Sequence, residues 1–166
     1  MAGPFIIEAL GAGHDREAFF CGVVALDEYF HKQVTQDIRR RATACYVAVE
    51  TASGRVSGYY TLAAAGIPLA DMPPELAKKL PRYPSVAVAR LGRLAVDQAY
   101  HGRKLGAALL WDAMQRALRS EIAVFALVVD AKDERAEAFY RHHGFVSFGS
   151  QSRQLVLPLI KLAAKK

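Results

Sequence analysis

No apolar run in these 166 residues approaches the ~20 that a membrane-crossing helix needs, and none is expected to span a bilayer. The opening MAGPFIIEALGAG has neither the basic start nor the long apolar centre of a secretory leader, so a soluble, cytoplasmic chain is expected. Cysteine is scarce. Cys21 and Cys45 show no metal-ligand spacing and read as reduced, buried thiols, with a disulfide as the alternative. Internal repeats and low-complexity stretches are absent. Acidic residues are also the minority, 16 against 22 lysines and arginines, and the resulting charge of +6 points to a polyanionic partner. What is present is 52% hydrophobic and 23% charged, the balance of a globular chain. The length suits one core rather than two, so residues 1–166 read as a single domain.

The stretch from Arg90 to Arg119 organises the rest. Its apolar start (Leu91, Leu94, Ala95, Val96) predicts a strand, Asp97 to His101 a turn, and His101-Gly102-Arg103-Lys104-Leu105-Gly106 a basic loop bracketed by glycine. From Lys104 to Arg119 the polar residues Asp112, Gln115, Arg116 and Arg119 fall at i, i+3, i+4 and i+7, a narrow wet stripe on an apolar helix. The amides that open such a helix have no intrahelical partners and sit at the positive end of its dipole, which suits a phosphate or pyrophosphate. The spacing matches neither the G-x-x-x-x-G-K-[ST] loop nor the dinucleotide fingerprint. By spacing alone, an ordinary strand-loop-helix with two incidental glycines accounts for it equally well.

In chain order, Gly3 to Leu10 reads as a strand closed by Gly11-Ala12-Gly13. A helix is expected from an N-cap at Asp15 through Phe19, Phe20, Leu26, Tyr29 and Phe30, then a second from Lys32 to Arg41. Arg39, Arg40 and Arg41 suit either an exposed helix end or a phosphate contact. Thr43 to Glu50 and Arg55 to Ala65 predict antiparallel strands about a turn at Ser53-Gly54. Five of the seven prolines lie in Ile67 to Pro84, a loop with room for one short helix at Pro74 to Leu80. Ser85 to Val96 is a long strand whose faces a bulge at Gly92 would exchange. Ile122 to Val129 is apolar throughout, as a strand covered on both faces would be. A helix from Asp133 to Gly144 follows, capped by Asp130 or Asp133, then strands at Phe145–Phe148 and Gln154–Leu157 and a solvated tail from Lys161 to Lys166. His142 and His143 fall in a last helical turn, where imidazolium suits the dipole and no metal spacing exists. Asp97 reads as a turn former.

Two motifs carry a resemblance. Arg93-Leu-Ala-Val-Asp97 with His101-Gly-Arg-Lys-Leu-Gly106-Ala-Ala-Leu109 resembles the acetyl-CoA-binding motif A of the GNAT acetyltransferases, written Q/R-x-x-G-x-G/A, with His101 and Lys104 as departures. Ala138-Phe139-Tyr140-Arg141-His142-His143-Gly144-Phe145 resembles their motif B, A-x-x-F-Y-x-x-x-G-F. Cys21-Gly22 with Leu26-Asp27-Glu28-Tyr29-Phe30, the QDIRRR helix and Leu91-Gly92-Arg93 further resemble the GNAT toxins of bacterial type II toxin-antitoxin modules, of the kind that acetylates aminoacyl-tRNA.

The resemblance implies an α/β (α+β) GNAT fold: a mixed, mostly antiparallel sheet of six to seven strands, about four helices and a V-shaped splay at the acetyl-CoA site. It implies acetyl-CoA as acetyl donor and no metal. Its contacts would fall on Leu94, Ala95, Val96, His101, Gly102, Arg103, Lys104, Leu105, Gly106, Ala107, Asp133 and Phe139, with Tyr140 as the acid for the leaving thiolate. The acceptor would be the free amine of aminoacyl-tRNA, held by Arg39, Arg40, Arg41, Lys78, Lys79, Arg82, Arg90 and Arg93. Partners would be a ribbon-helix-helix antitoxin, operator DNA through it, and a second copy in a homodimer. The chemistry agrees with these residue types. An α-amine has a pKa near 7.7 to 8.0, so a strong general base is not required. A thiol pKa near 8.5 makes a proton donor useful at sulfur, and an ordinary tyrosine near 10 stays protonated to supply it. Two alternatives stay open: a GNAT enzyme for small amines or protein N-termini, and a non-catalytic co-repressor.

Overall fold

The computed structural model describes residues 3–163. Seven strands make one sheet in the order β1-β2-β3-β4-β5-β7-β6. They are β1 (Phe5–Ala9), β2 (Ala44–Glu50), β3 (Val56–Pro68), β4 (Ser85–Val96), β5 (Ala126–Asp130), β6 (Val146–Ser147) and β7 (Gln154–Pro158). The helical elements are α1 (Val24–Glu28), a π-helical turn (Tyr29–Gln33), α2 (Val34–Arg39), α3 (Pro74–Ala77), α4 (Leu105–Arg119), α5 (Glu134–His142) and α6 (Ile160–Ala163). The chain groups into two compact units, one of residues up to Ala63 with Gly92–Ala113, the other of Ala64–Leu91 with Met114 onward. Strands β3 and β4 and helix α4 run unbroken from one unit into the other.

In the first unit β1 pairs antiparallel with β2, Phe5 opposite Glu50 through Ala9 opposite Tyr46, and β2 pairs antiparallel with β3 across a register shift at Ala48/Val49. The core is aromatic. Phe30 stacks on Tyr59 with centroids 4.3 Å apart, and Phe19 meets both rings edge-on at 5.0 and 5.5 Å. Val34, Cys45, Val47 and Val56 complete it. Burying each such side chain contributes about 1.5–3 kcal/mol, and the Tyr59 hydroxyl avoids a desolvation penalty by donating to the Leu26 carbonyl at 2.8 Å. A Cβ on Gly58 would lie 2.8 Å from Leu109 Cδ1 and 3.0 Å from the Ala95 carbonyl oxygen, so β3 admits α4 only because residue 58 has no side chain.

In the second unit β4 pairs parallel with β5, Val88 opposite Ala126 through Leu91 opposite Val129, and β4 then continues to Val96. β5 pairs antiparallel with β7, and β7 with β6. Ile67, Met72, Leu76, Val88, Val128 and Phe148 are at the centre of the core. Four of the five β5 residues are buried, as its uninterrupted apolar sequence requires.

Several expectations change. No helix starts at Asp15, whose carboxylate instead accepts the Glu17 N–H at 3.1 Å, a local turn that competes with helix formation. The first helix begins at Val24, leaving Phe19 in the core and Phe20 exposed. The basic helix stops at Arg39, and Arg41 is left-handed (φ 59°). β3 extends to Pro68 and β5 starts only at Ala126, with Ile122 79% exposed rather than in a strand. Asp112 is half-buried like Gln115 and Arg116 of the same stripe, and its carboxylate accepts the Tyr60 hydroxyl at 2.7 Å. The tail begins as a short helix at Ile160, and its last three residues lie outside those described. Neither cysteine is in a disulfide, both are buried, and burial pushes the Cys45 thiol up to about 12.

Candidate active site

After Val96 the chain turns on Asp97, a buried carboxylate with three partners. It accepts the Ala99 N–H (2.9 Å), which caps a short 3-10 turn at Gln98–Tyr100, accepts the Phe20 N–H (2.9 Å), and lies 3.7 Å from Arg55. The His101 ring donates to the Val96 carbonyl at 2.8 Å and closes the turn. The basic loop then reverses at two left-handed residues, Gly102 (φ 80°) and Lys104 (φ 61°). For lysine that conformation costs roughly 1–2 kcal/mol. The Lys104 carbonyl accepts the Ala108 N–H at 3.2 Å, so Lys104 occupies the capping position of α4. A lysine side chain has no acceptor to give, and the amides of the first helical turn keep their hydrogens uncommitted. No acidic residue stands in that turn. His101, Gly102, Arg103 and Lys104 are exposed, Gly106 and Ala107 half-buried and Leu105 buried. Leu94, Ala95 and Val96, buried or half-buried, lead into the loop from β4. Amides, positive dipole and cations together fit a diphosphate.

Arg103 does not hang free. Its guanidinium lies 3.7 Å from Glu50 and covers the rings of Phe5 (5.1 Å) and Tyr100 (5.4 Å). Glu50 is held below its usual range by hydrogen bonds from Ser53 and Tyr100 and by the nearby arginines. Arg55, which no sequence signal singled out, lies 5.5 Å from the same Tyr100 ring.

A second feature explains the C-G…L-D motif. Asp27 is buried and its carboxylate accepts the Cys21 N–H at 2.8 Å and the Gly22 N–H at 3.3 Å. Gly22 (φ 95°) packs directly against the Gln98 side chain, and the Gln98 N–H donates to the Phe20 carbonyl at 2.9 Å. The segment before α1 is therefore bonded to the turn that leads into the basic loop.

In the second unit Asp133 caps α5, accepting the Ala136 N–H at 2.8 Å, and Asp130 is instead paired with Arg90 at 2.7 Å. The helix ends with the Phe145 N–H bonded to the Tyr140 carbonyl (3.2 Å) across Gly144 (φ 100°), which is why glycine is required there. Phe145 is buried and meets Tyr140 edge-on at 5.4 Å, and Phe139 packs at 5.2 Å from Tyr140 and 4.9 Å from His143. Tyr140 is 8% exposed, and burial pushes its phenol up to about 12. Among the described residues no fully buried side-chain oxygen lacks a partner, and the Tyr140 hydroxyl has none, so its oxygen reaches the surface with its proton uncommitted. His143 is the C-cap, and burial followed by the charge of His142 lowers its pKa, which favours neutral imidazole over the imidazolium expected there.

The expected tRNA-contacting cations have different surroundings. Arg39, Arg40 and Arg41 are exposed in the first unit, and Lys78, Lys79 and Arg82 lie in the second. Arg90 is engaged with Asp130, and Arg93 lies 3.4 Å over the Tyr29 ring.

The family model described as "Acetyltransferase (GNAT) family" matches residues 14–145. Over 147 residues the chain is 33% identical to the tRNA-acetylating toxin of Mycobacterium tuberculosis, a match covering 87% of this chain and 86% of the relative. Among solved structures it is similar to AtaT complexed with acetyl-methionyl-tRNAfMet, with a TM-score of 0.90, 28% identity, and 97% of this chain and 98% of the other covered. It is also similar to a tyrosine-to-phenylalanine mutant of the AtaT toxin bound to the C-terminus of the antitoxin AtaR and acetyl-CoA, with a TM-score of 0.82, 25% identity and 98% of each chain covered.

Proposed function

The chain belongs to the acetyltransferase (GNAT) family, and on that footing we propose that it transfers the acetyl group of acetyl-CoA to the free α-amine of an aminoacyl-tRNA. In the cell this makes it the toxin of a toxin-antitoxin pair, acting in the cytoplasm to block translation. The carrying observation is the near full-length likeness to a tRNA-acetylating toxin. The activity is assigned to residues 1–166 as a single domain, a reading supported by the continuity of β3, β4 and α4 in both units. Partners are a ribbon-helix-helix antitoxin, through it operator DNA, and a second copy of the chain.

The donor supplies an activated acyl group as a thioester. The amides and cations at the start of α4 bind its diphosphate, with Gly102, Arg103, Lys104, Gly106 and Ala107 as the contacting positions. Backbone N–H groups of Leu94 to Val96 polarise the acyl oxygen, a contribution independent of side-chain identity. Tyr140 donates its phenolic proton to the departing sulfur, for which an uncommitted hydroxyl is suitable, and burial keeps that phenol protonated until the thiolate develops. Phe139 fixes the Tyr140 ring, and Asp133 caps the helix that carries both. The amine needs no side-chain base at neutral pH.

Labelled acetyl transfer decides the matter. Purified charged tRNAs, presented beside a panel of small amines and peptide N-termini, should be the acceptors used. Preferential labelling of the amines or peptides would overturn the tRNA reading, and no labelling of any acceptor despite acetyl-CoA binding would make the chain a non-catalytic module.

A further inference from the structure

The first unit contains a cavity of about 380 Å³ that the transfer step leaves unused. Ala25, Leu26 and Tyr29 line its apolar side, and Glu28, Lys32, Gln33 and Arg93 line the rest. It is shaped by the π-helical turn, in which the Val34 N–H bonds to the Tyr29 carbonyl five residues back. Such turns widen a helix locally and recur at functional sites. Arg93 is held in place rather than mobile. The centre of its guanidinium is 3.4 Å from the Tyr29 ring centroid, a face-to-face distance. Tyr29 is itself fixed, buried at 6% exposure and donating its hydroxyl to Asp37 at 2.8 Å. The guanidinium, covered by the ring on one side, offers what remains of its surface to the cavity.

Resting on the aminoacyl-tRNA reading above, we propose that this cavity receives the purine base of the 3′-terminal nucleoside, stacked on Arg93 and recognised along its edge by Gln33 and Glu28. A planar guanidinium backed by an aromatic ring is a platform for a nucleobase. The Gln33 amide brings both a donor and an acceptor, and the Glu28 carboxylate accepts from an exocyclic amine, the pattern that adenine displays. A phosphate in the cavity would face the Glu28 carboxylate, and an apolar amino-acid side chain would desolvate four polar groups without bonding them. Position agrees with the base as well. Arg93 precedes Val96 by three residues on β4, about 10 Å at the rise of a strand, and an ester-linked amine is separated from its nucleobase by a ribose over a comparable span. Because every charged tRNA ends in adenosine, this contact serves all of them and selects none. Choice of the amino acid must be made elsewhere.

The test uses amide-linked 3′-aminoacylamino-3′-deoxyadenosine, its uridine counterpart and the aminoacyl methylamide as acceptors for the full chain. The adenosine compound should have a KM at least tenfold below the other two. Gln33→Ala and Arg93→Lys should raise that KM toward the uridine value, with acetyl-CoA binding by calorimetry reporting an intact fold and no change in the salt dependence of tRNA binding. Equal KM values for adenosine and uridine compounds, with charged tRNA still acetylated, would overturn the base pocket and leave the tRNA reading standing. So would a loss in Arg93→Lys that appears only as a flatter salt dependence, since that marks a phosphate contact. Failure to acetylate any charged tRNA would remove both together.

Discussion

A phenol with a buried ring and an unbonded hydroxyl has one task its surroundings do not already assign. Removing the Tyr140 oxygen takes away a proton donor without breaking a hydrogen bond in the fold. Tyr140→Phe should therefore lower transfer by about two orders of magnitude or more while leaving the urea midpoint nearly unchanged. A variant as active as the parent would take Tyr140 out of the mechanism. The direction of its pKa adds a second readout. Burial moves the phenol from 10.0 to about 12, so the protonated, donating form persists above the pH at which an ordinary tyrosine titrates. The pH profile of the transfer step should show no falling limb centred near 10, and such a limb would place the hydroxyl in open water. Lys104 is the other residue with a cost of its own. Its left-handed backbone is one that glycine adopts without strain, so Lys104→Gly relieves that strain while loosening the unfolded chain. Unfolding stability should shift by less than about 1 kcal/mol, whereas removal of the cation should weaken donor binding measured by calorimetry.

At the level of elements, the strand-loop-helix from β4 to α4 and the helix α5 were legible because each is marked by local chemistry. Glycines stand where the backbone must be left-handed, an aspartate caps α5, and β4 spans the predicted residues, Ser85 to Val96. What was not legible depends on partners distant in sequence. Nothing local announces that Asp97 will accept the Phe20 N–H, that Asp27 will hold two amides of the preceding turn, or that Arg90 will be paired with Asp130. The π-helical turn likewise lacks a sequence signature, and the Asp15 start failed because a short carboxylate bonds its own neighbouring amide as readily as it caps a helix. Among the proposed cofactor positions, Arg103 directs its charge to Glu50 and two rings, which its place in the loop did not announce. The close approach of β3 and α4 permits a sharp test. Gly58→Ala places a methyl 2.8 Å from Leu109 and 3.0 Å from a carbonyl oxygen, and should cost about 1–3 kcal/mol in urea unfolding. An unchanged midpoint would mean that α4 can retreat.

For the whole molecule the governing quantity is the charge of +6. A polyanion attracted by that charge releases counterions as it binds, so affinity for tRNA should fall steeply as salt is raised. Replacing Arg39, Arg40 and Arg41 with glutamine should flatten the plot of log affinity against log salt by roughly 0.7–0.9 for each phosphate that is no longer neutralised. A slope unchanged by the triple substitution, read by filter binding across a salt series, would show that these arginines only decorate a helix end.

The packing of Gly22 against Gln98 has a consequence for genetics. A side chain at residue 22 would start 2.3 Å from the glutamine amide, on a left-handed backbone that already disfavours one, and must displace the Gln98 side chain at the turn that opens the basic loop. Selection for survivors of a lethal copy of this gene should recover lesions at codon 22 whose products still fold but titrate weakly with coenzyme, so that a position far upstream in the reading frame behaves as part of the donor's own cradle.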